Sequence, residues 1–132
     1  MATFVLAIGS AALGGTAAAE VKVFTTRVLP VKAPADVAIV YLDTASTLEA
    51  RLSADLPSDP RRARDAALQR LREGGAKLQR DLAAAYQDVS EAWSLGITTL
   101  PAVVVDRRYV VYGNSNVASA IARIEAFRRT QP

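Results

Sequence analysis

The spacing of apolar and polar positions changes several times along the chain, and each change marks an element. Val21-Lys22-Val23-Phe24-Thr25-Thr26 alternates and is rich in β-branched residues, which predicts a strand. Pro30 and Pro34 place a loop after it. Val37-Ala38-Ile39-Val40-Tyr41-Leu42 is a near-continuous apolar run closed by Asp43, the pattern of a strand buried on both faces beneath helices. Ser46-Thr47-Leu48-Glu49 has the form of a capping box, with the Ser46 hydroxyl bonded to the Glu49 N–H and the Glu49 side chain reaching back. Leu48, Leu52 and Leu56 follow at helical spacing, and Pro57 ends that helix. Asp59-Pro60 then reads as a second helix start, with Asp as N-cap and Pro at the first helical position.

The strongest helical signal runs from Arg61 to Leu95. Leu68, Leu71, Gly75, Leu78, Leu82, Tyr86, Val89 and Trp93 recur at steps of three or four and share one stripe. Tyr86 and Trp93 are assigned to the core because they lie on it. Gly74-Gly75 interrupts the run, and each Gly costs about 1 kcal/mol relative to Ala. The stripe keeps its phase across the pair, which predicts a kink or a close contact rather than a domain boundary. Gly96 suits the helix C-terminus.

Beyond it, Thr98-Thr99-Leu100-Pro101 leads into the strand Ala102-Val103-Val104-Val105. Asp106-Arg107-Arg108 forms a turn, and Tyr109-Val110-Val111-Tyr112 returns as the antiparallel partner, closed by Gly113. Tyr109 and Tyr112 are an odd number of residues apart and point to opposite faces, so one of them is expected to be the more exposed. Asn114 or Asn116 caps a final helix whose apolar face is Val117, Ala120, Ile121, Ile124 and Phe127. Arg128 and Arg129 suit the negative end of its dipole. The order is strand, strand, helices, strand, strand, helix. It predicts an α/β sandwich: a mixed central sheet of about four strands flanked by helices, in one domain over residues 20–132.

The first 19 residues follow a different pattern. They carry no charged side chain; Phe4-Val5-Leu6-Ala7-Ile8 is apolar, and small residues continue to Ala17-Ala18-Ala19. Ala17 and Ala19 meet the small-x-small rule for signal-peptidase cleavage, so residues 1–19 read as a signal peptide and Glu20 as the first mature residue. The run is short and rich in Gly and Ala for a membrane span. The competing reading is a buried Ala-rich first helix. No Lys or Arg follows Met1, so the usual positive start is missing. Export implies the periplasm, with no membrane span once the leader is removed.

Composition narrows the chemistry. Of 132 residues none is Cys and none is His, which removes disulfides, CxxC redox pairs, Cys- or His-based nucleophilic triads and Cys/His zinc sites. The acids are scattered, so neither an oxygen-only metal site nor an acid–base set from Asp43, Asp88 and Asp106 emerges. Catalytic residues, metal ligands and cofactors are therefore expected to be none. The net charge of +3 permits weak attraction to anions without announcing nucleic-acid binding. Arg61, Arg62, Arg64, Arg70, Arg72, Lys77 and Arg80 interleave with Asp59, Asp65, Glu73 and Asp81, and no aromatics stand nearby for base stacking. A solvated helix face with spaced ion pairs is the better reading.

The stretch Gly96-Ile97-Thr98-Thr99-Leu100-Pro101-Ala102-Val103-Val104-Val105, with its hairpin and Tyr112-Gly113, resembles the C-terminal half of thioredoxin-like domains. The resemblance implies that Pro101 opens its strand through a cis peptide bond. It also implies that Pro101 faces the loop after the first strand, where redox members carry CxxC. Here that loop is Thr26-Arg27-Val28-Leu29-Pro30-Val31, without cysteine. From about residue 20 to 128 the chain further resembles a family of small uncharacterised proteins encoded by bacterial integrating conjugative elements. The residues carrying this likeness include Val40-Tyr41-Leu42-Asp43, Leu56-Pro57-Ser58-Asp59-Pro60, Ala92-Trp93-Ser94-Leu95-Gly96 and Arg107-Arg108-Tyr109-Val110-Val111-Tyr112-Gly113. That likeness implies work beside a type IV secretion-like machine and brings no catalytic residues with it.

In thioredoxin-like folds the edge beside the cis proline binds extended peptide by strand addition. Thr26, Arg27, Thr99, Leu100 and Pro101 are accordingly the partner-binding candidates, with Arg27 as a contact for an anionic group. Arg107, Arg108 and Tyr109 at the hairpin tip are secondary interface candidates. The expected function is a non-enzymatic periplasmic accessory protein of a conjugative transfer system that binds a protein component of that apparatus or of the envelope. The alternatives are a cysteine-independent chaperone or isomerase-like factor for pilus or secretion components and, more weakly, a DNA-binding accessory protein.

Overall fold

The computed structural model describes Val5–Ala7 and residues 19–132. The rest of the segment read as a leader lies outside the described residues. The elements are β1 (Val5–Ala7), β2 (Val21–Thr25), β3 (Ala38–Tyr41), α1 (Thr44–Ser53), α2 (Pro60–Ser94), β4 (Ala102–Val105), β5 (Tyr109–Tyr112) and α3 (Val117–Arg129). The fold is mixed α/β, as the alternation of periods predicts. Two compact units divide it: the described residues of Met1–Tyr41 with Glu91–Pro132, and Leu42–Ser90.

The first unit holds the sheet, in the order β1-β5-β4-β2-β3. β2 and β3 are parallel, while β2–β4, β4–β5 and β1–β5 are antiparallel. Four of these strands are the expected ones, and β1 adds a short fifth at one edge. The two central strands explain the valine-rich sequence: Val103 and Val105 of β4 and Val23 of β2 form a buried cluster with Val111, Val117, Ala120 and Ile124. That cluster lies on the sheet face covered by α3. The opposite face carries Phe24, Ala102, Val104 and Val110, all 3% exposed or less. Ile124, fully buried, alone brings about 1.5–3 kcal/mol of transfer free energy.

β3 departs from expectation. Its apolar run suggests burial on both faces, yet it is an edge strand with Ala38 and Tyr41 exposed. A strand with a neighbour on one side only leaves part of its apolar surface uncovered, and a run of apolar letters does not state how many neighbours it will have. The hairpin is as expected: Asp106 and Arg107 take φ of 53° and 54°, and the Arg108 N–H closes the turn on the Val105 carbonyl at 3.1 Å. Asn116 caps α3 by accepting from the Ser119 N–H at 3.0 Å, while Asn114 accepts from the Asn116 N–H.

In the second unit α1 starts earlier than its capping-box pattern suggests. The helix begins at Thr44, and the Ser46 and Thr47 hydroxyls donate back to the Asp43 carbonyl at 2.9 and 2.8 Å. The Glu49 carboxylate takes a hydrogen bond from Tyr86 instead of reaching back to Ser46. Asp59 caps α2 as expected, accepting from the Arg61 and Arg62 N–H groups. Gly75 breaks α2 with φ 58° and ψ −154°, a conformation that a Cβ disfavours, so the expected kink is present.

The stripe itself needs correction. Tyr86 is 51% and Trp93 81% exposed, whereas the neighbouring Ala85 and Ala92 are buried. The buried face thus runs one residue out of phase with Tyr86 and Trp93, while Leu78, Leu82 and Val89 of the stripe are half-buried as expected. Alanine is covered by a small contact area, and a pattern weighted towards large apolar residues overlooks it.

Candidate functional site

Strand register brings the candidate residues to one end of the sheet. Phe24 stands opposite Ala102 in β4, and Thr25 beside Tyr41 in β3. The chain therefore leaves β2 into residues 26–31 at the end where Leu100-Pro101 enters β4 and β3 finishes. Ala102 is also in register with Tyr112, which brings the end of β5 to the same edge. Thr26, Arg27, Leu100 and Pro101 are thus gathered by the two central strands, and Thr99 lies exposed just before them.

The loop after β2 is held in shape. The Leu29 N–H closes a turn on the Thr26 carbonyl at 3.0 Å, and the buried Thr25 hydroxyl donates to the Leu29 carbonyl at 2.7 Å. These bonds lift Arg27 and Val28 to the tip. The Arg27 guanidinium lies 5.0 Å from the centre of the Tyr41 ring, a cation–π contact that orients it across the end of β3. Val28 is 82% exposed and Leu29 40%. The Thr26 hydroxyl is buried and meets no partner among the described residues. Across the gap the Leu100–Pro101 peptide is cis, and the Pro101 carbonyl accepts from the Gly113 N–H at 2.8 Å. The Tyr112 hydroxyl reaches the Gly96 carbonyl at 3.3 Å.

Val28 and Leu29 thus form a small exposed apolar surface on a hydrogen-bonded turn, next to Arg27 and Pro101. Among the described residues no group of three or more acids stands close enough to hold a metal ion. No helix among them is long and apolar enough to cross a membrane.

Val28, Leu29 and Tyr41 are the residues that the sequence candidates leave out. A signal for the first two was available: an apolar pair between Arg27 and Pro30 falls outside any strand or helix period. Tyr41 was hidden because it reads as the end of a buried strand.

The secondary candidates are placed differently. Tyr109 is only 9% exposed and packs edge-on against Phe127, with ring centres 6.2 Å apart. The guanidinium groups of Arg108 and Arg128 lie over its ring at 5.5 and 5.2 Å. Arg107 is tied to Glu91 at 2.7 Å. The hairpin tip thus spends its side chains on internal contacts, and Tyr112 is the more open tyrosine.

Glu91 joins two cations of the sheet unit. It takes both Lys22 bonds, at 2.9 and 3.0 Å, as well as the Arg107 contact, and its side chain is 13% exposed. The hydrogen bond from Lys22 lowers its pKa, burial opposes that, and the charges of Lys22 and Arg107 lower it further. This is a carboxylate kept ionised between two cations, a structural tie across the sheet.

In the second unit an open cleft of about 370 Å³ is lined by Leu48, Leu52, Arg70, Gly74, Leu78 and others. Arg70 is spent there on the Leu52 and Ala54 carbonyls at 3.0 and 2.6 Å, and Lys77 pairs with Asp81.

The chain belongs to the protein family described as proteins of unknown function (DUF1525), whose model matches residues 18–130. No curated protein and no solved structure matches it.

Proposed function

We propose that this DUF1525 protein is a non-enzymatic accessory factor of a conjugative, type IV secretion-like apparatus. On this reading it is exported to the periplasm and uses a redox-inactive thioredoxin-like scaffold to hold a partner protein. The partner docks where residues 26–29 meet Thr99, Leu100 and Pro101. The observation that carries the docking reading is Val28, 82% exposed on a turn pinned by two hydrogen bonds. Leu29, 40% exposed beside it, makes the two a contiguous apolar surface, and contiguous exposed apolar surface is what a docking partner covers. Arg27, held over Tyr41, borders that surface. The element order and the cysteine-free loop support the redox-inactive scaffold, and the sequence likeness supports the conjugative setting.

The absence of native cysteine makes a direct test simple. Val28→Cys, and Glu125→Cys on exposed α3 surface as control, are expressed in donor cells and treated with a short thiol-reactive crosslinker. The expected result is an adduct with one transfer or envelope protein from Val28→Cys and none from Glu125→Cys. Equal or absent adducts from both positions would refute the docking site.

A further inference from the structure

The β5 edge is the second surface that points to a partner, and here the chain itself displays the mode of occupation. Val5–Ala7 lies antiparallel on β5, with Val5 opposite Val111, Leu6 opposite Val110 and Ala7 opposite Tyr109. Val5 is half-buried against the cluster that contains Val111 and Ile124. If residues 1–19 are removed as a leader, β5 becomes an outer strand. Its four residues, Tyr109–Tyr112, include no charge and no proline, and three of them are buried as the structure stands. Edge strands are ordinarily protected by such residues because an open row of backbone N–H and C=O groups recruits other chains. Nor do the flanking arginines guard it, since Arg107 is bound to Glu91 and Arg108 lies over Tyr109.

We infer that β5 is a strand-acceptor edge: the leader segment covers it in the precursor, and in the mature protein it receives an extended apolar segment from a partner protein. The register specifies that segment. It runs antiparallel to β5, with an aliphatic residue opposite Val111 and a small residue opposite Tyr109, two positions further on. Backbone pairing supplies the attraction, and the apolar cluster against which Val5 packs supplies the selection. The inference rests on the leader reading for the step that vacates the edge. It is independent of the docking turn at Val28, so one can fail without the other.

The test uses the full chain and a labelled synthetic peptide spanning residues 2–9, with a Leu6→Pro version of the peptide as control. Val5→Asp in the protein places a charge against the apolar cluster and releases the resident strand; Leu6→Pro in the protein is the second route to the same end. Both variants are expected to keep a folded circular-dichroism spectrum and to bind the peptide, with amide shifts concentrated in Tyr109–Tyr112. The wild-type chain should bind it about tenfold more weakly or worse, because its own segment competes at high effective concentration. Folded variants that ignore the peptide would overturn the inference, as would variants that unfold, since β1 would then be part of the fold and not a placeholder. Variants that dimerise in place of binding peptide would make a second copy the occupant and overturn the heterologous partner. N-terminal sequencing of the exported form tests the leader separately, and a retained Val5–Ala7 would overturn the vacating step.

Discussion

Glu91 ties the end of α2 to β2 and to the hairpin, and its contribution depends on its charge. Because its folded pKa is lowered, the stability it supplies is complete above the unfolded carboxylate pKa and is lost as the pH falls through the lowered folded value. Glu91→Gln is expected to cost about 1–3 kcal/mol at neutral pH. It should also flatten the acid limb of the stability curve, as read by urea unfolding between neutral pH and the acid range. An unchanged acid limb would mean that the Lys22–Glu91–Arg107 cluster does not stabilise the fold. Val28 behaves oppositely. It is 82% exposed, so Val28→Asp should leave the unfolding free energy within about 0.5 kcal/mol of wild type, as read by urea unfolding. Residue-scale chemistry was partly readable in advance. The missing Cys and His could be counted, and Arg27 and Pro101 stood in recognisable company. The Glu91 cluster was not readable, because its three members lie up to 85 positions apart and only the sheet register brings them together.

At the scale of elements, local signals with a mechanism located ends well. Asp59-Pro60 starts α2, Asn116 starts α3, and the turn at Asp106-Arg107 joins two valine-rich strands. Asn116→Ala is expected to cost about 1 kcal/mol through loss of the Ser119 bond, measured by thermal unfolding. Gly75→Ala should cost about 1–3 kcal/mol, although its Cβ would meet nothing within 4 Å, because the penalty lies in the backbone angles. A neutral Gly75→Ala would show that the helix straightens freely at this point. Signals failed where burial depends on neighbours. β3 looks central and is an edge, and α2 turns Ala85 and Ala92 inwards and leaves Trp93 in water. Ser46 looks like a cap but lies inside α1, since a Ser-x-x-Glu pattern is equally compatible with a helix that has already begun.

For the molecule as a whole, the sequence order of elements was enough to predict an α/β fold with a mixed sheet, but not the strand order. Nothing in the period of β1 distinguishes a leader segment from a strand, since an apolar run serves either. The division into a sheet unit and a helical unit was equally hidden, because α2 carries its pattern without a break from one into the other. The function proposed above reduces at this scale to one claim, that the hydrogen-bonded apolar turn beside Pro101 holds a component of a transfer machine. The measurement that addresses it most directly is conjugation frequency from a donor lacking this gene, complemented by wild type or by Val28→Asp. The expected result is that deletion lowers transfer to background, wild type restores it, and Val28→Asp, present in the periplasm at wild-type level, does not. Undiminished transfer in the deletion strain, or full rescue by Val28→Asp, would contradict the claim.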